Sequence, residues 1–278
     1  MSQQSASWLD GIPATVLPLP DRGLDFGDGL FETLLVRSGD PLFLNVHLDR
    51  LEQGLKTLYF PDCRAVAQQQ IQNACRGING EWRWAALRLS VLRASGERGY
   101  APAKNLDPRI LITVTRIDRD CTNLSRAAAM GVADIRLSIQ PVLARIKHLN
   151  RLEQVLAAAQ AQAENVDECF VLDQAGYLVS VIAGNVFLVC EGELLTPVLV
   201  DCGVAGTRRR LIMERWAPAI GLKVREARLT LADLDSAEEV FYSNSLQAVR
   251  SISSLGTKAW TNYRVCDALF QQYLDDLA

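Results

Sequence analysis

A short polar stretch near the middle of the chain divides this sequence into two halves. Residues 118–125 begin Asp-Arg-Asp and show no hydrophobic periodicity, whereas apolar runs alternate with turn residues on both sides. The chain has 278 residues, which is more than a single hydrophobic core usually serves. We therefore expect two domains, at residues 1–117 and 126–278, joined by a linker at 118–125. A cleft between two such domains is a common place for a small ligand.

The first half alternates strand and helix patterns. Apolar runs at 30–37 and 41–44 flank a Ser-Gly-Asp turn, which predicts a β-hairpin. Leucines recur at helical spacing over 48–58, which predicts a helix. We expect a second helix at 66–78 and buried strands at 82–92 and 110–117.

The second half mixes the same two kinds of element. A strand is predicted at 132–139, and a helix rich in alanine and leucine at 150–164. The predicted fold class is therefore α+β, with two α/β domains. The other expected elements are hairpins at 168–181 and 185–196, a glycine-containing loop running into a helix over 203–220, and strands at 223–229 and 239–243.

Composition argues against several classes of function. The 29 basic and 32 acidic residues nearly cancel and are dispersed, which is unlike a protein that binds nucleic acid or a membrane surface. No apolar run reaches the ~20 residues of a membrane span, and residues 1–17 lack the pattern of a leader, so we expect a cytoplasmic protein. Seven cysteines without a C-x-x-C pair and only two histidines disfavour a disulfide framework and a metal site.

Lys147 is the candidate for a reactive amine among only five lysines in the chain. It lies between a strand-like segment and a predicted helix, where a cleft could hold it. Burial there and the nearby cations Arg145 and Arg151 would lower the pKa of the amine and make it nucleophilic. On position alone, a solvated surface lysine explains the residue better.

Three segments have the residues of an anion site. Val204 to Arg208 leads into a helix, so backbone N–H groups and the Thr207 hydroxyl could meet a phosphate. Ser243 and Ser245 follow a predicted strand, and Arg50 lies on the first helix. Taken singly, an ordinary helix cap, a polar turn and a solvated helix face account for them.

Arg93 and Arg98 lie on a loop after a predicted strand and could clamp a carboxylate. An ordinary surface loop explains them nearly as well. The glycine-rich segment 21–29 lacks the G-x-G-x-x-G spacing of a nucleotide motif and is not followed by a helix, so a constrained turn is expected there.

In their order along the chain these segments resemble the superfamily of branched-chain and D-amino-acid aminotransferases, which are pyridoxal-phosphate enzymes. The Asp-Arg-Gly at 21–23 with the Phe-Gly-Asp-Gly-Leu-Phe-Glu-Thr at 26–33 looks like the superfamily's opening motif, and residues 47–51 match its phosphate-arginine helix. The stretch 146–156, Ile-Lys-His-Leu-Asn-Arg-Leu-Glu-Gln-Val-Leu, is the most specific, because it is similar to the aminodeoxychorismate lyase subgroup.

The resemblance implies roles for these residues. Lys147 would hold pyridoxal 5'-phosphate as a Schiff base and move protons, with Thr33 as a second proton donor. The cofactor phosphate would be held by Arg50, Gly206, Thr207 and Ser245. Members of the superfamily have two α/β domains with the cofactor between them and are commonly homodimers, and Asn185 matches an architectural asparagine of theirs.

Ser180 departs from the superfamily pattern. Five residues before the asparagine, where a glutamate normally pairs with the pyridine nitrogen of the cofactor, this chain has serine. A hydroxyl keeps that nitrogen protonated less well than a carboxylate, which weakens the cofactor as an electron sink. Transamination depends strongly on that sink, whereas loss of the enolpyruvyl group from aminodeoxychorismate is driven by formation of an aromatic ring. The resemblance therefore favours a lyase of folate synthesis that releases 4-aminobenzoate and pyruvate, ahead of an amino-acid transaminase or a non-catalytic cofactor-binding protein.

Overall fold

The chain forms two compact units. A computed structural model describes residues 4–78, 82–94, 99–102 and 107–278. The first unit comprises Met1–Cys121 with Ile146–Asn150, and the second comprises Thr122–Arg145 with Arg151–Ala278. The chain first passes from one unit to the other at residue 121, which lies inside the linker predicted at 118–125.

The segment Ile146–Asn150 differs from the predicted boundaries, which assign it to the second domain. It groups with the first unit because its backbone pairs with the strand that begins at Gly29. The Phe31 N–H donates to the Lys147 carbonyl at 2.9 Å, and the Leu149 N–H donates to the Gly29 carbonyl at 3.0 Å. Lys147 therefore belongs to the first unit, and no local pattern in the sequence carries this long-range pairing.

The first unit consists of an antiparallel sheet and helices. Among its described residues the sheet has six strands in the order β2-β1-β6-β5-β3-β4. The strands are β1 (Ser5–Leu9), β2 (Ile12–Pro13), β3 (Gly29–Arg37), β4 (Asp40–Pro41), β5 (Trp84–Leu92) and β6 (Arg109–Arg116), and the helices are α1 (Arg22–Phe26), α2 (Leu44–Thr57) and α3 (Arg64–Gly77).

The centre of this sheet carries the core of the unit. β3 and β5 pair along their whole length, from Gly29 opposite Leu92 to Arg37 opposite Trp84. Helix α2 buries its leucine stripe (Leu48, Leu51, Leu55), as its spacing predicts. Gly54 allows the close approach of α2 to the strand, since a Cβ there would lie 2.8 Å from the Leu30 side chain.

The second unit consists of a mixed sheet with helices around it. Nine strands are described, in the order β12-β11-β10-β13-β14-β7-β8-β9, with β15 against β14. The β11–β12, β14–β7 and β7–β8 pairs are parallel. The strands are β7 (Ala128–Leu137), β8 (Glu168–Asp173), β9 (Leu178–Val181), β10 (Asn185–Cys190), β11 (Glu193–Pro197), β12 (Lys223–Ala227), β13 (Glu239–Asn244), β14 (Ala248–Leu255) and β15 (Lys258–Ala259).

The second unit has five described α-helices and one π-helical turn. Helix α5 continues through one π-helical turn, Ile212–Trp216, into α6. The helices are α4 (Leu152–Glu164), α5 (Thr207–Leu211), α6 (Ala217–Ala219), α7 (Asp233–Ser236) and α8 (Arg264–Asp275). Both units mix strands with helices, which confirms the α+β class.

Within the described part of the chain, no helix has the length and apolar character needed to cross a membrane.

Candidate active site

Lys147 lies against the inner edge of the first unit's sheet. The backbone pairing with β3 fixes its position, and its Nζ atom lies 4.3 Å from the centroid of the Phe31 ring. The side chain is half-buried, so it is not the solvated surface lysine of the alternative interpretation. An amine over the face of an aromatic ring is held in place by a cation–π contact.

Arg88 contacts the same aromatic ring. Its guanidinium carbon lies 4.0 Å from the Phe31 centroid. The Lys147 amine and the Arg88 guanidinium therefore both contact this one ring. Among the described residues Arg88 has no hydrogen-bond or ion-pair partner, and partial burial lowers the pKa of its guanidinium. A partnerless cation beside a half-buried amine is suited to bind a substrate carboxylate.

Thr33 lies opposite Arg88 in the β3–β5 register. Side chains alternate along a strand, so Phe31, Thr33 and Arg88 share one face of the sheet, and Lys147 reaches that face over the Phe31 ring. The structure thus places Thr33 on the face of the sheet that Lys147 reaches, and the catalytic roles of both residues stay predictions. It adds Arg88, which the sequence analysis missed. The available signal was a lone arginine in the apolar run of β5.

Arg50 lies with Glu32 and His47 where α2 packs on β3. Its Nε donates to Glu32 Oε1 at 2.8 Å and its Nη2 to Glu32 Oε2 at 2.5 Å, while His47 Nδ1 lies 2.7 Å from Glu32 Oε2. Burial alone would raise the pKa of Glu32, but the Arg50 charge and the hydrogen bonds from His47 and Arg50 outweigh it and lower the pKa to about 2. The carboxylate is therefore ionised, and Arg50 is not the solvated helix residue of the alternative interpretation.

Arg93 is engaged by its own unit. Its Nε donates to Asp28 at 2.9 Å, and its two terminal nitrogens donate to the carbonyls of Tyr59 and Leu58 at 3.2 and 2.6 Å. These contacts favour a structural role, so the predicted carboxylate contact of Arg93 stays a prediction. Arg98 lies outside the described residues.

Arg22 and Asp21 give the glycine-rich segment its turn. Asp21 caps α1 by accepting from the Leu24 N–H, and Gly27 ends this helix in the left-handed region. Arg22 donates to Asp28 and to the carbonyls of Gly99 and Tyr100. The segment is therefore a short helix with a left-handed glycine at its end, and the predicted turn is limited to the residues after that helix.

In the second unit, Gly206 is the N-cap of α5 and Thr207 is its first residue. The loop before them is held by Asn185, whose side-chain amide donates to the Val204 carbonyl at 2.9 Å. A Cβ on Gly206 would lie 2.0 Å from Asn185 Oδ1, so the loop and the asparagine are in close contact. This gives Asn185 the architectural role that the resemblance implies.

Ser243 and Ser245 flank the end of β13. Asn244 Oδ1 accepts from the backbone N–H groups of Leu246 and Gln247, at 3.0 and 2.9 Å, which forms the turn. Within the described chain the buried Ser243 hydroxyl has no hydrogen-bond partner. An unsatisfied buried hydroxyl at a strand end is a polar group that a bound ligand could satisfy.

Arg208 links the two predicted phosphate segments. Its Nη2 donates to the Ser245 carbonyl at 3.1 Å, and the residue is only 1% exposed. The helix that begins at Thr207 and the turn at Ser245 are therefore connected by a buried cation, which the sequence analysis did not single out.

Ser180 lies on β9 opposite Val171 of β8 and is half-buried. A carboxylate lies at the start of β8, where Glu168 Oε1 accepts from the N–H groups of Ile182 and Cys169, at 3.1 and 3.3 Å. Burial raises the pKa of Glu168 to about 7, although the backbone N–H groups of Cys169, Ile182 and Ala183 lower it in part. Glu168 thus ties the residues after Ser180 to β8.

The chain thus combines two α+β units, a half-buried lysine and two loops that could bind an anion, before α5 and after β13. The Amino-transferase class IV family matches residues 29–255, and the chain belongs to this family. The match includes Phe31, Arg50, Lys147, Ser180, Thr207 and Ser245.

The relatives give a more particular likeness. A crystal structure of 4-amino-4-deoxychorismate lyase from Pseudomonas aeruginosa has a TM-score of 0.90 and 37% identity, over 98% of this chain and 99% of that one. An aminodeoxychorismate lyase of Vibrio harveyi is 33% identical over 253 residues, which is 89% of this chain and 90% of the relative. A D-alanine aminotransferase of Listeria monocytogenes is 25% identical over 247 residues, with 85% and 81% covered. The chain is more similar to the two lyases than to this aminotransferase.

Proposed function

We propose that this chain is a pyridoxal-phosphate-dependent carbon–oxygen lyase that converts 4-amino-4-deoxychorismate to 4-aminobenzoate and pyruvate, a step of folate synthesis. The observation that carries the proposal is the pair of cations on the Phe31 ring, the Lys147 amine at 4.3 Å and the partnerless Arg88 at 4.0 Å. The substrate is a dicarboxylate that carries an amine. The reaction therefore needs a cation such as Arg88 for a carboxylate and the Lys147 amine for the chemistry. The two lyase relatives support the same assignment.

The residues present fit the cofactor. Lys147 would hold it through Nζ, and Ser180 would face its ring nitrogen. The buried Ser243 hydroxyl, which has no partner in the described chain, is the observation that fits a phosphate near the β13 turn. When bound, pyridoxal phosphate would withdraw electrons from the carbon that bears the substrate nitrogen. Its phosphate would be held by Arg50, Gly206, Thr207 and Ser245.

Lys147 and Thr33 are the residues assigned to proton transfer. With the substrate amine bound, the Lys147 amine would be free to remove the proton from the ring carbon that bears nitrogen. The bond between the ring and the enolpyruvyl oxygen breaks, and the ring becomes aromatic. Lys147 or the Thr33 hydroxyl then supplies the proton that the enolpyruvyl group needs to leave as pyruvate.

Carboxylate binding is assigned to Arg88 and Arg98. Arg88 shares the face of Lys147 and has no acidic partner among the described residues. Arg98 keeps its predicted role, while the contacts of Arg93 with Asp28 and two carbonyls favour a structural one.

Transamination is the second candidate function, because a D-alanine aminotransferase is among the relatives. Ser180 argues against it. A hydroxyl at this position stabilises a protonated ring nitrogen less than a carboxylate does, and transamination depends more on that proton than elimination does.

The proposal includes a cytoplasmic homodimer. Members of this superfamily are commonly dimers, and large apolar side chains of α4 lie exposed, with Leu152 at 77% and Leu156 at 57%. Such exposure is typical of a protein contact surface.

The test is pyruvate release from 4-amino-4-deoxychorismate in the absence of any oxo-acid acceptor. A lyase releases pyruvate and 4-aminobenzoate in equal amounts, whereas a transaminase requires the acceptor. Lys147→Ala is expected to abolish turnover and the absorbance at roughly 410–420 nm that marks the bound cofactor. A wild-type chain that takes up cofactor but turns over neither class of substrate would support the non-catalytic alternative.

A further inference from the structure

Glu32 is a buried carboxylate that the proposed reaction does not use. It accepts two hydrogen bonds from Arg50, at 2.8 and 2.5 Å, and lies 2.7 Å from His47 Nδ1. The side chains of Glu32 and His47 are 2% and 1% exposed, whereas that of Arg50 is 10% exposed. The arginine is therefore the member of this cluster that is nearest to solvent.

The arrangement fixes the direction of the guanidinium. Glu32 occupies the edge formed by Nε and Nη2 in a two-point contact, which sets the plane of the group and the direction of the opposite edge. His47 and Arg50 are three residues apart on α2, so both meet the same carboxylate. His47 in turn limits the rotation of Glu32.

Stability alone does not account for this cluster. Replacing a buried ion pair by apolar residues of similar volume is often neutral or stabilising. The buried residues of α2 other than His47 are Leu48, Leu51, Gly54 and Leu55. A charged cluster retained there, with the arginine as its most exposed member, is better explained by what the arginine binds.

We propose that Glu32 and His47 are positioning residues that orient Arg50 toward the phosphate of the cofactor. The inference rests on the proposed function, which assigns Arg50 to that phosphate. It adds that phosphate affinity depends on a carboxylate which itself never touches the cofactor.

The experiment compares two ligands that differ only in the phosphate. Full-length chain freed of cofactor is titrated with pyridoxal 5'-phosphate and with pyridoxal, by absorbance. The variants are Glu32→Gln, Glu32→Asp, His47→Ala, Arg50→Ala and the double variant Glu32→Gln/Arg50→Ala. Glu52→Gln is the matched control, since Glu52 lies on the same helix but pairs with Lys56 and Arg64 on its outer side.

Glu32→Gln is expected to weaken pyridoxal 5'-phosphate roughly 10- to 100-fold, the usual range for charge-assisted hydrogen bonds. Pyridoxal affinity should change by less than about twofold. Arg50→Ala should show the same selective loss, and the double variant should be no weaker than Arg50→Ala alone, because the two residues act through one contact. His47→Ala should give a smaller selective loss, and Glu52→Gln none.

Three results would overturn the inference. Glu32→Gln could weaken both ligands equally, as a purely structural residue would, or leave both unchanged while Arg50→Ala is selective. It could also bind the phosphate ligand more tightly, which would mean that Glu32 acts only by its opposing charge. If Glu32→Gln does not fold, as judged by circular dichroism, Glu32→Asp is the deciding variant. Aspartate keeps the charge, but its shorter side chain does not reach both Nε and Nη2 of Arg50, so the same selective loss of pyridoxal 5'-phosphate affinity is expected.

The proposed function fails in a different way. If Arg50→Ala is not selective either, the assignment of Arg50 to the phosphate is wrong. If the wild-type chain binds neither ligand, the cofactor assignment is wrong.

Discussion

Arg88 has no anionic partner among the described residues, in contrast to three other arginines of its unit. Arg22, Arg50 and Arg93 each hold a carboxylate. A guanidinium that only stacks on an aromatic ring keeps its donors available for an incoming carboxylate. Desolvation also lowers the pKa of its guanidinium, while the residue as a whole is exposed to solvent.

We predict that Arg88→Ala lowers kcat/KM for 4-amino-4-deoxychorismate about 10- to 100-fold, the loss expected for a charge-assisted contact. Cofactor absorbance should stay as in the wild type, and Arg88→Lys should restore part of the rate. Arg37→Ala is the control, because Arg37 also stacks on a ring, that of Trp84 at 5.8 Å. Steady-state kinetics measure the effect, and equal kcat/KM values in wild type and Arg88→Ala would remove Arg88 from the site.

These residues differ in how far the sequence could predict them. Lys147 and Arg50 were found through a resemblance over short motifs, and Thr33 came with them. Arg88 was missed because its importance comes from its position opposite Thr33 and over Phe31, and a sequence does not state which residues of two strands face each other. The contacts that engage Arg93 are likewise long-range.

The loop before α5 is built by contact between two elements. Gly206 has φ −65° and ψ 144°, an extended conformation that any residue adopts. Glycine is required there because the Asn185 side chain, at the start of β10, lies where a Cβ would be. The same side chain holds the Val204 carbonyl, so strand and loop fix each other.

Gly206→Ala is predicted to destabilise the chain by about 1–3 kcal/mol, as overpacking does, and to weaken pyridoxal 5'-phosphate at least about tenfold, since the Asn185 contact must open. Asn185→Ala removes the clashing group, so the same glycine substitution should cost less in that background. Thermal unfolding and cofactor titration of the four chains measure this. Additive losses would show that the close contact is not the reason for glycine.

Local elements were more predictable than their pairing. The strands at 30–37, 82–92 and 110–117 and the helix at 66–78 are found as β3, β5, β6 and α3. Their apolar periods are local properties of the chain. The hairpin partner predicted at 41–44 is wrong in extent, because β4 covers only Asp40–Pro41 and α2 begins at Leu44. The pairing of residues 146–150 with β3 is a non-local contact, which no apolar period of the sequence records.

Helix α4 has an apolar stripe that points away from its own sheet. Leu152, Val155 and Leu156 lie three and four residues apart and therefore share one face of the helix. The structure buries Ala157 and Ala161 instead and leaves the three larger residues between 57% and 77% exposed. The small alanines let the helix lie close to the sheet. The three large apolar residues are left exposed and available for contact with another protein surface. A single sequence cannot distinguish a face buried within the chain from one buried by a second copy.

Leu156→Glu is predicted to convert the proposed homodimer to a single chain, because a carboxylate in an apolar contact must be buried without a partner. Val66→Glu is the control, since Val66 is also exposed, at 49%, on a helix of the first unit. Light scattering during size exclusion should give twice the chain mass for the wild type and Val66→Glu, and the single mass for Leu156→Glu. A dimeric Leu156→Glu would place the contact elsewhere, and a monomeric wild type would remove the homodimer from the proposal.

If the cofactor absorbance of Leu156→Glu persists in the monomer, cofactor binding needs only one chain. If it is lost with the dimer while Val66→Glu keeps it, assembly and the site that holds Lys147, five residues before α4, depend on each other.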